Sequence, residues 1–398
     1  MIIQVWLMHR DSSSDDSHSV LFLPATYYQV QDALEKAHLD TEDDMLLDVS
    51  GYDDFSFLNP HLEEADNLIL LNSLAMRIAE MESWQKDAFE GLLLMEQEKQ
   101  KPIGLPRLYD LAANADKCQV LYEATNDAEL GRFYAENGFL PELENVPDSV
   151  MEILDYGKIG RQMRIGECGV FLRHGIGYVT QTEEMTPVYG TEKLELKAPD
   201  YTVLMEVSVP DSECSEFLRL PCEKTELNTV LDRLEVSGWH ELSWRCADCR
   251  VPALADAFAL SDNIAHINYA ARMLSELSEP DVAKLKALVQ AVKADDLEAA
   301  VTLMEQLDEY TRMECTSPAE LAKYILRDSM AEREIDLVLK YLNCKQYTKE
   351  VVERSGAALT PYGLIYREDG RPVIRQEPEQ YYEQEPESSR NPGMTMEL

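Results

Sequence analysis

The sequence predicts an α+β protein built as two tandem elongated modules, each with small β-sheet elements flanking a helical middle. Three observations carry this expectation: an internal repeat, a hydrophobic content of 45% under a formal net charge of -39 over 398 residues, and a progression from strand to helix and back within each repeat. Asp66-Asn67-Leu68-Ile69-Leu70-Leu71-Asn72-Ser73-Leu74-Ala75 returns as Asp262-Asn263-Ile264-Ala265-His266-Ile267-Asn268-Tyr269-Ala270-Ala271. Further blocks match in the same order. Leu23-Pro24 with Val30, Ala33, Leu34 and Ala37 is answered by Leu220-Pro221 with Leu227, Val230, Leu231 and Leu234, at an offset of 197. Thr125 to Leu130 matches Thr316 to Leu321 at offset 191, and Gly175-Ile176-Gly177-Tyr178 matches Gly363-Leu364-Ile365-Tyr366 at offset 188. The offset drifts one way, as small losses in loops of the second copy produce. Two units near 190 residues are globular modules, not the short, numerous repeats of a solenoid, and the length accommodates two cores.

The elements follow in order. Ile2 to Met8 and Tyr201 to Val209 read as opening strands, with Val20 to Leu23 and Phe217 to Leu220 as hairpin partners. The i, i+3, i+4, i+7 spacing from Val30 to Ala37 makes the first amphipathic helix, and Thr26 with Gln29 forms its capping box. Helices are expected over Asp66 to Met81 and Ser83 to Lys99, with Ser83 and Ser278 as N-caps and Pro280 in a first turn. A helix over Leu105 to Ala115 is echoed by Leu297 to Leu307, and another starts near Asp127 or Pro318. A Gly-rich or aromatic β segment closes each module at Tyr178 or Tyr366. Module 1 is therefore placed at 1–180, a linker at 181–200, a diverged module 2 at 201–370, and a flexible acidic tail rich in Pro and Glu at 371–398.

Composition excludes several classes. No apolar run reaches the length of a membrane span and no basic region precedes an apolar core at the N-terminus, which points to a cytoplasmic protein. Eight irregularly spaced cysteines suit reduced thiols. Cys246-Ala247-Asp248-Cys249, near His240 and His266, has the spacing of half a zinc site, but Cys214 and Cys222 are too far apart to complete it, so no metal or cofactor is expected. A thioredoxin-like role lacks its βαβ setting, and Gly175-Ile176-Gly177 lacks the third glycine of a dinucleotide loop. Asn72 and Asn268 read as structural hydrogen-bonding residues on a helix face. No nucleophile and base pattern supports an enzyme.

The Asn72-Ser73-Leu74-Ala75 helix, the Ala128-Glu129-Leu130-Gly131 block, Leu154-Asp155-Tyr156-Gly157-Lys158-Ile159-Gly160-Arg161 and the closing Gly175-Ile176-Gly177-Tyr178 resemble the ArdA antirestriction proteins over about residues 1–180. In the second copy Asn343-Cys344 with Thr348-Lys349 replaces the Asp-Tyr-x-x-x-Gly-Arg pattern, and Ala322 replaces Gly131. The resemblance implies a small acidic anti-defence protein of a mobile genetic element that imitates bent B-form DNA and occupies the DNA-binding cleft of a type I restriction-modification enzyme.

Charge agrees with that implication independently. Duplex DNA carries about one negative charge per 1.7 Å, so 39 charges correspond to roughly 65 Å of duplex. The first 200 residues hold 38 acidic and 15 basic residues and the remaining 198 hold 37 and 21, so both halves are acidic. The candidate mimic surface comprises Asp40, Glu42, Asp43, Asp44, Asp53, Asp54, Glu63, Glu64, Asp66, Glu80, Glu82, Asp87 and Glu90. The expected partner is a basic cleft, with no direct nucleic acid and no membrane, and the chain is expected as a monomer with pseudo-dimeric repeats or as a homodimer. The alternative is an acidic adaptor of a mobile element that scaffolds basic proteins without displacing DNA.

Overall fold

The computed structural model describes residues 1–10, 18–39, 44–97, 102–144, 146–173, 175–191, 193–212, 214–315, 317–327 and 329–374. Period-two alternation opens the chain: β1 (Ile3–His9) buries Ile3, Val5 and Leu7. It pairs antiparallel with β2 (His18–Leu23), and α1 (Tyr27–Lys36) follows. The Thr26 hydroxyl accepts from Gln29 N at 3.3 Å while Gln29 Oε1 accepts from Thr26 N at 3.1 Å, the capping box the sequence predicts. β3 (Met45–Gly51) completes a sheet of order β2-β1-β3, with Val5 opposite both Leu21 and Val49. The sequence reading placed only acidic residues in this region; Met45 and Val49 face the core while Asp48 points out.

The helical middle consists of α2 (Asn59–Leu62), α3 (Leu68–Ala79), α4 (Ser83–Gln97) and α5 (Leu105–Ala113). α3 begins later than expected because Asn67 is its cap, accepting from Leu70 N at 2.8 Å. Ser83 lies inside α4 and is not its cap; Gln85 Oε1 instead accepts from Glu82 N at 2.8 Å. A second sheet, of order β4-β6-β5, uses β4 (Cys118–Leu121), β5 (Val170–Phe171) and β6 (Tyr178–Gln181) around α6 (Asp127–Glu136), α7 (Asp148–Met151) and α8 (Tyr156–Glu167). Tyr178 starts the closing strand, where the sequence reading ended it.

The same order recurs in the second half. β7 (Val203–Ser208), β8 (Ser215–Leu220), α9 (Lys224–Arg233) and β9 (Ser243–Cys249) form a sheet of order β8-β7-β9 with one covering helix. α10 (Ala255–Leu260), α11 (Ile264–Glu276), α12 (Glu279–Val292) and α13 (Leu297–Glu305) follow, and here Ser278 does cap α12, accepting from Asp281 N at 3.4 Å. β10 (Tyr310–Met313), α14 (Pro318–Leu326), α15 (Glu332–Leu339), α16 (Cys344–Ser355), β11 (Ala358–Thr360) and β12 (Gly363–Arg367) close it with a sheet of order β10-β12-β11. The fold class is α+β.

Both halves carry one identical clamp. Asn72 accepts from Ala25 N at 2.8 Å and donates to Ala25 O at 2.9 Å, and Asn268 makes the same pair of bonds to Cys222, both at 2.9 Å. Each fixes the entry of a helix against α3 or α11. Asn72→Ala strands a buried amide and carbonyl, each worth about 1–3 kcal/mol, so a loss of about 2–4 kcal/mol is expected in urea unfolding; a change below about 0.5 kcal/mol would show the clamp to be incidental.

The described residues of 182–200 contain no helix, yet Met185, Val188, Leu194 and Leu196 pack on the first core. Asn114 holds this stretch through Thr186, accepting from its N–H and donating to its carbonyl, both at 2.9 Å. At the other end Val373 is buried in the second core and its N–H donates to Gly356 O at 2.8 Å, between exposed Pro372 and Ile374; residues 375–398 of the expected tail lie outside the described residues. No helix among the described residues is long and apolar enough to cross a membrane.

The two halves meet through α1. Asp32 and Lys286 are 4% and 3% exposed, and their side chains approach to 3.4 Å. Lys286 Nζ also donates to Glu35 at 2.7 Å, and the Tyr362 hydroxyl donates to Asp32 Oδ1 at 2.7 Å. Burial first, and then the Asp32 charge, push the Tyr362 hydroxyl well above its ordinary value. A second cluster surrounds Asp248, which accepts from Thr26 Oγ1 at 2.7 Å and from the Tyr201 hydroxyl at 2.9 Å. A β-bulge between Leu204 and Met205 adjusts β9 beside this residue. The counterpart of α1, helix α9, has no such cover: Thr229 and Asp232 are exposed, as is Phe217 beside them at 57%.

Candidate acidic interface

The candidate carboxylates are carried by the connections of the first helical middle. Asp53 and Asp54 open a 3-10 turn after β3, Glu63, Glu64 and Asp66 lie between α2 and α3, and Glu80 and Glu82 lie past the end of α3. All seven are exposed. Among the described residues Asp53, Asp54, Glu63, Glu64, Asp66 and Glu80 make no ion pair, and Glu82 accepts from Trp84 Nε1 at 2.7 Å. α3 has 12 residues, so at 1.5 Å per residue it holds its two end groups about 18 Å apart.

Other candidates are engaged. Asp87 accepts from the Tyr122 hydroxyl at 2.6 Å, and burial together with that carboxylate pushes Tyr122 up to about 12. Glu90 lies 3.8 Å from Arg173 with its side chain only 13% exposed. Asp44 is partly buried, and its carbonyl accepts from Arg10 N at 2.8 Å. Asp40, Glu42 and Asp43 lie outside the described residues. Sequence reasoning missed Asp48, which stands exposed on the outer face of β3 between Asp44 and Asp53. The alternation of Met45, Leu47 and Val49 would have placed it there.

The acidic character of this region is not repeated. Residues 40–90 hold 14 acidic and two basic residues, whereas the aligned 236–286 hold seven and five. Glu63 and Glu64 align with Ala259 and Leu260, the latter 78% exposed, and Glu90 aligns with Lys286 of the inter-module contact. Of the two aligned regions, that of the first module therefore carries the stronger negative field.

Cys246 and Cys249 belong to strand β9 and face inward, Cys249 fully. Burial pushes the Cys246 thiol up to about 12 and that of Cys249 well above its ordinary value, so neither is a ready thiolate or metal ligand. Among the described residues no group of three His, Cys, Asp or Glu side chains could hold a metal ion. A disulfide-exchange reagent at pH 8 should label exposed Cys168 and Cys214 and leave Cys246 and Cys249 unmodified until the protein unfolds; prompt labelling of the latter pair in the folded protein would contradict their burial. Comparison with protein-family models and with curated proteins finds no match to this chain.

Proposed function

We propose that the protein is a non-enzymatic DNA mimic composed of two ArdA-like modules, acting in the cytoplasm as a stoichiometric inhibitor of a type I restriction-modification enzyme or a related defence enzyme. The observation that carries this reading is the exposed set of carboxylates at the two ends of α3 and on the turn after β3, without an ion pair among the described residues. Asp66, beside the α3 cap Asn67, lies where the helix dipole favours an anion, so stability alone could account for it, whereas Glu63 and Glu64 lie at the C-terminal end of α2. Glu82 is favoured like Asp66, at the start of α4, whereas Glu80 caps the C-terminal end of α3, where the dipole opposes a negative charge. A partner's Lys and Arg side chains supply compensation there beyond that of Arg77 in the last turn of α3.

The test is competition between the protein and a labelled duplex for a purified type I methyltransferase core at low and high salt. Stoichiometric displacement is expected, weakening as salt rises because the imitation exploits the same cationic contacts that bind phosphates. A ternary complex, with DNA retained, would replace this reading with the adaptor. Failure to bind the core at all would remove the type I assignment.

A further inference from the structure

In module 1, α6 and α8 touch backbone to backbone. A Cβ on Gly131 would lie 1.9 Å from Tyr156 O, and one on Gly160 would lie 1.8 Å from Asp127 O. Arg164 fastens the pair, donating to Asp127 from Nε at 2.8 Å and from Nη2 at 3.3 Å, and Arg161 approaches the same carboxylate to 3.6 Å. The Arg164 hydrogen bond holds the Asp127 carboxyl below its usual range.

Module 2 has lost every part of this closure. Ala322 and Thr348 stand for the two glycines, Pro318 for Asp127, Lys349 for Arg161 and Val352 for Arg164. Side chains now occupy the line along which backbones met, and the guanidinium–carboxylate bridge is gone. Pro318, Thr348, Lys349 and Val352 instead line a cavity of about 710 Å³ between α14, α16, β11 and the end of α12. That volume falls within the roughly 300–1,000 Å³ of small-molecule sites. Its wall is apolar at Val352, Leu359 and Ile374, and it carries Lys345 and Lys349, each with an interaction of its own, that of Lys349 being with Glu353 at 4.0 Å. In a chain of net charge -39, two lysines on an apolar wall select for something the rest of the surface repels.

We propose that this cavity binds a small organic anion with an apolar body, its carboxylate or phosphate group lying at Lys345 and Lys349 and its body against Val352, Leu359 and Ile374. His38 of module 1 also lines the cavity, but the proposed binding does not depend on whether the acidic surface mimics DNA. An acyl carboxylate and a nucleoside phosphate share this chemistry, and the experiment separates them.

The full chain is titrated by calorimetry with octanoate and, separately, with adenosine 5′-monophosphate. Saturable binding of one ion per chain is expected for at least one probe; octanoate alone identifies an acyl anion, and adenosine monophosphate alone a nucleotide. Lys345→Glu with Lys349→Glu, both exposed and so compatible with folding, should weaken binding about tenfold or more. A second variant, Pro318→Asp with Ala322→Gly, Thr348→Gly and Val352→Arg, restores the residues that close the first module and should also abolish binding. No saturable binding of either probe up to about 10 mM, or equal binding by the parent chain and both variants, would overturn the proposal.

Discussion

Glu63→Lys, Glu64→Lys and Asp66→Lys together are expected to raise the concentration needed to displace DNA from a type I methyltransferase core by about a thousandfold. Each position is exposed and unpaired, so the substitutions touch no buried contact and should alter stability little. Each replaces an attraction to a cationic cleft by a repulsion; taking about 1.4 kcal/mol, or tenfold, per reversal gives the estimate. The salt dependence of displacement should also become shallower, by about one unit of slope for each lost contact. The aligned region of module 2 supplies the control. Asp262→Lys, at the position matching Asp66 but beside Ala259 and Leu260, should leave displacement within about threefold of the parent. An effect of Asp262→Lys as large as that of Asp66→Lys alone, about tenfold, would mean that total charge, and not the first module's surface, determines inhibition.

The second large effect is expected at the join. Lys286→Ala removes the cation that reaches both Asp32 and Glu35 and leaves Asp32 buried, with Lys36 at 2.7 Å as its remaining cation. Breaking a buried pair from one side costs about 3–5 kcal/mol, because the surviving charge has lost water as well as its partner. Lys36 is partly exposed and compensates in part, which places the expected loss near 3 kcal/mol, read as a lowered urea midpoint. Adding Asp32→Ala should restore stability relative to Lys286→Ala, since it removes the stranded carboxylate, and the double-mutant cycle measures the coupling. Additive losses would show that the two side chains do not act as a pair.

Much of the architecture was legible where local chemistry and tertiary packing agree. Thr26 and Gln29 announce α1, and the Asp-Asn repeat locates α3 and α11, because their caps and apolar stripes are written in adjacent residues. β3 was hidden because Asp44 and Asp48 dominate a segment whose inward residues are only Met45, Leu47 and Val49. α8 was hidden by Gly157, Gly160 and Gly166, each costing a helix roughly 1 kcal/mol relative to Ala. The reason for Gly160 is the approach of α6, which no local pattern reveals. In the candidate interface, exposure followed from the polar runs, whereas the partners of Asp87 and Glu90 come from Tyr122 and Arg173, distant in sequence. The Asp32–Tyr362 contact spans 330 residues and lay beyond any periodicity argument.

That contact runs in one direction only, and this bears on how many units can assemble. A unit that docks its first helix onto the next unit makes a heterologous contact, which can extend indefinitely unless something stops it. At the free end, the positions of Asp32 and Glu35 are taken by Thr229 and Asp232, and the position of Lys286 in the receiving surface is taken by Glu90. A third unit added by the same geometry would set Asp232 against Glu90, carboxylate against carboxylate, with no lysine between them. The buried carboxylate of Asp32 and the ammonium of Lys286 thus have no counterpart at the outer ends, and the filament that a tandem of identical units would seed stops growing at its first joint.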